Sequence, residues 1–364
     1  MKEMGYKRQL DGLRAICFLG VFLFHTDSIR FWWGAYGVHV FFALSGFLIT
    51  KILLTHENSV PTGDLIKSFY IRRFLRIFPA YYMILILLLI FASVPYMTSI
   101  FFYVYNIKLF LLSLAGKAGE VALHWNEWGM HFWSLSVEEQ FYIIYPILFL
   151  YLAKKYRAQF FVLSILLSIL VTTAFKFAAS TTYYGYLPFV CGEYILWGCF
   201  LAYLEHHGKL SKIPRDRMFY YCILAFVVYC YLRDPPRYTY SRSFITIFPG
   251  FEQTITAVLF ALLIWSLWHA DSDPVAKALA WGPLAYFGKI SYGLYLIHPF
   301  MWNLFDIVKA KWEVLNGVPV FLGRLSLTVF FAVLSWHFFE NPINKMKVKV
   351  PYGFFRNNLS RQDS

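Results

Sequence analysis

Charge is scarce in this chain: Asp, Glu, Lys and Arg together make up 15% of its 364 residues, against 59% hydrophobic and 21% aromatic. A soluble domain is roughly one quarter charged and half apolar, so the shortage excludes an ordinary soluble protein and points to a polytopic helical membrane protein. Acidic residues are the scarcest, 20 against 33 Lys and Arg, which leaves a net charge of +13. That excess does not point to nucleic acid, because the basic residues sit at the ends of apolar segments. There they read as topology signals and as contacts for anionic lipids or phosphates. Cysteine is also sparse: the five residues fall inside apolar runs with no Cys-x-x-Cys, which argues against a disulfide framework or a zinc site. No linker, low-complexity run or internal repeat is evident. No cleavable leader is expected either, because the first apolar run carries Arg14 and leads straight into Asp27 and Arg30.

Ten spans can be drawn, over about 10–28, 36–55, 76–95, 134–153, 158–177, 186–204, 218–232, 247–268, 284–308 and 318–339. Basic clusters orient them: Lys2, Lys7 and Arg8; Lys67, Arg72, Arg73 and Arg76; Lys154, Lys155 and Arg157; Lys209, Lys212, Arg215 and Arg217; and Lys345, Lys347 and Lys349. All of these share one side if both termini are cytoplasmic. The stretch Ile100–Leu114 is too short to cross and carries Asn106 and Lys108, so an interfacial or re-entrant helix on the outer side is expected. The outer loop Arg233–Arg242 is net positive and breaks the rule, which leaves a binding surface as its only account. The expected organisation is one membrane domain over 1–344 and a basic cytoplasmic tail over 345–364.

Arg14 and His25 stand out within the first span. Eleven residues apart, they lie roughly 16 Å apart along a helix and within about 20° of one face. Ionisable side chains at such depth are expensive and mark function by default. Arg14 reads as an anchor for an acyl donor and His25 as a proton-handling residue. Phe22 and Phe24 flank His25, and desolvation there favours a neutral imidazole ready to accept a proton. The plainer alternative is a packing histidine, and Arg14 on the same stripe argues against it. Arg72, Arg73 and Arg76 group on one helical turn, and guanidinium forks suit phosphate better than lysine does. A bare topology signal would explain them alone; with Arg14, four arginines can face one anionic donor.

The run Trp133–Tyr142 opens the fourth span, where Ser134 or Ser136 can cap the helix and Glu138 and Glu139 suit its first turn. Adjacent glutamates point about 100° apart, so one is expected to face the interior, where it could orient His25 or an acceptor hydroxyl. Ser45-Gly46 reads as a close helix contact, His298-Pro299 as a kink, and His337 with Glu340 as a local interfacial pair.

At these residues the chain resembles the acyltransferase-3 family of integral-membrane acyltransferases. The matching pieces are Leu10-Asp-Gly-Leu-Arg-Ala15 through His25, Gly37–Phe47, Phe69–Pro79 with its Arg-Arg-x-x-Arg, Trp133–Tyr142, Ile290–Pro299 and Glu340-Asn-Pro342. The resemblance implies a ten-helix fold in a membrane, expected to be the bacterial inner membrane. It implies transfer of an acyl group, usually acetyl, from a cytoplasmic acyl-CoA to a hydroxyl of an extracytoplasmic glycan or lipid-linked saccharide. It also implies that His25 is essential and that Arg14, Arg72, Arg73 and Arg76 engage the CoA. Glu138 or Glu139 would then position His25 or the acceptor, and the oxyanion could rest on an arginine, Tyr142 or a backbone N–H, with no metal required. Direct attack and an acyl-imidazole on His25 both remain open, and so does the oligomeric state. Many family members continue into an extracytoplasmic hydrolase-like domain, so the acceptors of those fused members are not carried over. A transporter or flippase, with the same buried Arg and His lining a path, is the rival class, and a sensor without catalysis a second.

Overall fold

The computed structural model describes residues 5–25, 32–91, 94, 96–117, 129, 131–178, 183–233, 249–309 and 317–352. Asp27, Arg30, most of the loop after Arg233 and the tail beyond Tyr352 lie outside them. The described residues contain helices and no strand. Ten of these helices have 18 or more residues: α1 (Arg8–His25), α2 (Tyr36–His56), α3 (Thr62–Phe91), α6 (Phe132–Tyr151), α7 (Arg157–Ala178), α8 (Pro188–His206), α9 (Arg215–Arg233), α10 (Pro249–His269), α13 (Ser291–Lys309) and α14 (Val318–Ser335). They overlap the ten expected segments in order. Five stretches are long and apolar enough to cross a membrane: Trp33–His56, Thr62–Phe91, Lys154–Ala178, Phe251–His269 and Val318–Lys349.

Between these run shorter helices, α4 (Met97–Phe101), α5 (Tyr105–Leu114), α11 (Pro274–Leu279) and α12 (Gly282–Lys289). At ~1.5 Å per residue α5 is about 15 Å long, half of a hydrocarbon core. Asn106 anchors it against α6, donating to Gln140 Oε1 at 3.2 Å and receiving 2.9 Å from Gln140 Nε2.

α3 departs from its expected bounds. It starts at Thr62 rather than near residue 76 and runs unbroken for 30 residues, with Pro79 inside. A helix of that length is about 45 Å, longer than the ~30 Å core, so its first turns can project beyond the hydrocarbon. Arg72, Arg73 and Arg76 therefore stand on a helix and not in a loop. Tyr292 donates to the Ile77 carbonyl at 3.2 Å, which ties this part of α3 to α13.

Packing is closest where glycine replaces a side chain. A Cβ on Gly198 would sit 2.0 Å from the Ala43 carbonyl oxygen, and one on Gly46 would sit 2.1 Å from that of Ile195. α2 and α8 thus meet backbone to backbone. The outside is greasy: Ile86, Leu89, Ile90, Ile143, Ile144, Leu163, Leu166 and Leu170 are exposed. Such a belt suits lipid and not water. All five cysteines are buried.

The π-turn Trp336–Glu340 joins α14 to α15 (Asn341–Lys345) and separates two residues expected to pair. Glu340 turns inward, buried, and accepts from Ser335 at 3.0 Å. His337 stays exposed and bonds the Val333 carbonyl at 3.0 Å. The wide turn adds a residue to the helical loop, so spacing by three does not bring the two together.

Candidate active site

Two cavities share a wall at one end of the bundle. The larger, about 460 Å³, is lined by Lys7, Arg14, Arg72, Arg73, Arg76, Lys289 and Lys347, with Tyr6, Asp11, Trp268, Trp336 and Tyr352 between them. Seven basic residues against the single carboxylate of Asp11 make it a strongly anion-attracting space. Both ends of the described chain, Gly5–Lys7 and Lys347–Tyr352, contribute to it. Arg72 ties the later segment in place, donating to the Lys347 and Val350 carbonyls at 2.7 and 3.0 Å and lying 4.8 Å from the Tyr352 ring centre. Lys7 and Gln9 fix the earlier one by bonding Asp271, and those bonds hold the Asp271 carboxyl below its usual range. Burial and a hydrogen bond to Asp11 push the Tyr6 phenol up to about 12.

The smaller cavity, about 150 Å³, lies deeper and shares Arg14, Leu48, Arg73 and Arg76 with the first. Its far side carries Ser45, Ser134, Glu138, Glu139, Tyr142, Tyr292 and Tyr295. Here the two glutamates do not divide between interior and water, because both line the cavity. The hydroxyls of Ser45 and Tyr142 gather on Glu138 Oε1, with 2.8 Å between the two hydroxyl oxygens. Arg73 lies over the Tyr142 ring, 4.3 Å from its centre. Ser45 is thus part of the polar wall, while neighbouring Gly46 makes the close helix contact. The expected capping by Ser134 or Ser136 is absent. α6 begins earlier, at Phe132, and the two hydroxyls donate back to the carbonyls of His131 and Phe132 at 3.0 and 2.9 Å.

Arg14 is held by an ion pair with Asp11, one turn earlier and buried. Asp11 was given no role from sequence. Its signal was legible: a carboxylate three residues before an arginine inside an apolar segment.

His25 occupies a different position. It is half-buried, lines neither cavity, and sits in an aromatic cluster with two further histidines. Its ring lies 5.6 Å from His298 and 6.0 Å from Trp302, and His298 lies 5.3 Å from His131. His131 Nε2 meets the Leu296 carbonyl at 3.1 Å and His298 Nδ1 that of Tyr295 at 2.7 Å. The other nitrogens, His131 Nδ1 and His298 Nε2, are buried with no hydrogen-bond partner. Unpaired buried polar atoms cost free energy and mark a site kept for something else. Tyr295 and Ser134, joined by a 2.6 Å hydrogen bond, stand between these histidines and the smaller cavity. Sequence singled out His298 without a partner and did not single out His131. Among the described residues no group of three or more His, Cys, Asp or Glu is arranged to hold a metal ion.

A basic chamber that shares a wall with a carboxylate-lined cavity, inside a helical bundle with a greasy belt, is the architecture of a membrane protein with room for an anionic ligand. The profile described as "Acyltransferase domain" matches residues 7–337, and the chain belongs to that acyltransferase-3 family of integral-membrane proteins. It is 30% identical to the "Putative O-acetyltransferase SAS0844" of Staphylococcus aureus (strain MSSA476), over 96% of this chain and 59% of the relative. It is 28% identical to the peptidoglycan O-acetyltransferase OatA of Listeria monocytogenes, over 93% and 56%. With the "Putative peptidoglycan O-acetyltransferase YrhL" of Bacillus subtilis it shares 29%, over 92% and 54%. The chain thus spans a little over half the length of these curated relatives. No solved structure matches it.

Proposed function

We propose that this protein is an O-acyltransferase of the bacterial cytoplasmic membrane. It would carry an acetyl group from cytoplasmic acetyl-CoA to a hydroxyl of a glycan on the opposite side, with peptidoglycan, named in two relatives, as the favoured acceptor. In this reading the ten long helices each cross the membrane and both termini are cytoplasmic. The observation that carries it is the shared wall: Arg14, Arg73 and Arg76 line both the cationic chamber and the carboxylate-lined cavity. An anionic donor held in the first would present its far end to the second.

The chamber's residues fit CoA. Four guanidinium groups and the lysine side chains beside them supply bonds for phosphates, and Trp268 and Trp336 supply ring surface for an adenine. The donor brings an activated thioester. His25 takes the proton from an acceptor hydroxyl in the smaller cavity by way of His131 and His298, the oxygen attacks the thioester carbonyl there, the C–S bond breaks and the proton returns to the departing thiolate. His298 and His131, between His25 and the Tyr295–Ser134 wall, carry that proton toward the cavity. Glu138, with Ser45 and Tyr142, and Glu139 orient the groups that line the reacting end, and Arg73 stabilises developing negative charge.

The test is thiol release by detergent-purified protein given acetyl-CoA and de-O-acetylated peptidoglycan fragments. We expect turnover by the wild type and a loss of about 10²–10⁴-fold in His25→Ala at unchanged CoA affinity. Equal turnover in that variant would remove His25 from the chemistry.

A further inference from the structure

A third cavity, about 440 Å³, opens at the other end of the bundle, where α1 ends and α2 begins, and nothing above uses it. It falls in the size range of small-molecule sites, roughly 300–1,000 Å³. Its walls combine aromatic rings with neutral hydrogen-bonding groups. Tyr36 and Tyr229 share a hydrogen bond of 2.9 Å, and Tyr229 donates to Glu252 Oε1 at 2.6 Å. Across the space Tyr194 pairs with Thr256 at 2.9 Å and lies against His39, their tilted rings 4.3 Å apart between centres.

We infer that this cavity is an acceptor subsite and takes a pyranose ring of a glycan strand; the inference rests on the acyltransferase reading. Charge separates the two ends. The donor chamber carries seven basic residues and one carboxylate, whereas here Lys176 is matched by one carboxylate, Glu252, so a polyanion finds no excess of positive charge. An acyl chain is disfavoured as well, because it would lay hydrocarbon against the charged side chains of Lys176 and Glu252. A pyranose offers both faces the site asks for: apolar C–H surfaces for tyrosine rings, and hydroxyls for phenol, carboxylate and amide. Phe24 lies on the cavity wall, and its ring is 5.2 Å from that of His25. The ring bound here therefore occupies a positioning subsite for the strand, with Phe24 between it and His25.

Two variants test it. A Cβ on Gly185, on the cavity wall, would meet nothing within 4 Å, so Gly185→Trp should fill the space without disturbing the bundle. Glu252→Gln keeps the shape and removes the charge. De-O-acetylated, lysozyme-released peptidoglycan fragments are titrated onto the full-length protein in nanodiscs, and CoA is titrated separately as a control for folding. We expect saturable fragment binding by the wild type, weakened about tenfold or more in both variants, with CoA affinity within twofold of wild type. The same variants should raise the acceptor KM and leave the donor KM unchanged. No fragment binding by the wild type, or equal binding by folded Gly185→Trp, would overturn the assignment. Fragment binding lost in both variants without any thiol release by the wild type would uphold this site and sink the acyltransferase reading instead.

Discussion

Arg72 and Arg76 stand one turn apart on α3 and contribute differently to the same chamber. Arg72 spends donors on the Lys347 and Val350 carbonyls and lies against Tyr352. Arg76 reaches both cavities and lies 5.8 Å from the Trp336 ring centre. A hydrogen bond to a charged group is worth about 1.5–3 kcal/mol, so losing both should weaken CoA binding at least about tenfold. We expect that loss in Arg72→Ala/Arg76→Ala at normal protein level, read by calorimetric titration of the purified protein; unchanged affinity would take the cluster out of the donor site. At this scale the sequence was legible wherever partners are neighbours along the chain. Arg72, Arg73 and Arg76 share a turn, Arg14 and His25 share the stripe that Phe18 and Phe22 also occupy, and each can be read from helical period alone. His131 with His298, or Ser45 with Glu138, come from helices far apart in sequence, and no period relates them.

Helices α2 and α8 show what a glycine contributes to an element. Gly198→Ala would drive a methyl group to 2.0 Å from the Ala43 carbonyl, forcing the two backbones apart. Gly192 lies on the same helix, and a methyl group there meets nothing within 4 Å. We expect Gly198→Ala to lower stability by about 1–3 kcal/mol or more, through overpacking. Gly192→Ala should leave stability unchanged or raise it by about 0.5–1 kcal/mol, as alanine is the better helix former. Thermal unfolding of both proteins in one detergent checks the pair, and equal shifts would remove close approach as the cause. Hydropathy found the long helices because an apolar run is a local property. The early start of α3 and the π-turn after α14 escaped it. The first lies in turns that carry Asp64 and Lys67 and so fall outside an apolar run, the second in a backbone adjustment that leaves no composition signal.

Across the whole molecule, both ends of the described chain line the cationic chamber, and the tyrosine-rich cavity opens at the opposite end. The alternation of basic clusters and spans led to the expectation that both termini share one side. It said nothing of the two chambers, whose walls are assembled from helices at both ends of the sequence. Opposite chemistry at opposite ends makes sidedness the central claim: donor enters where the arginines are, and product leaves by the other face. Reconstitution in sealed vesicles tests it directly, with acetyl-labelled CoA on one side and peptidoglycan fragments on the other. Orientation is scored by protease access to the C-terminal tail. We expect labelled fragments only when the CoA is on the side of the termini, with one thiol freed per acetyl transferred. Label that reaches fragments only when both substrates share a side, or intact acetyl-CoA crossing with no thiol freed, would contradict the account.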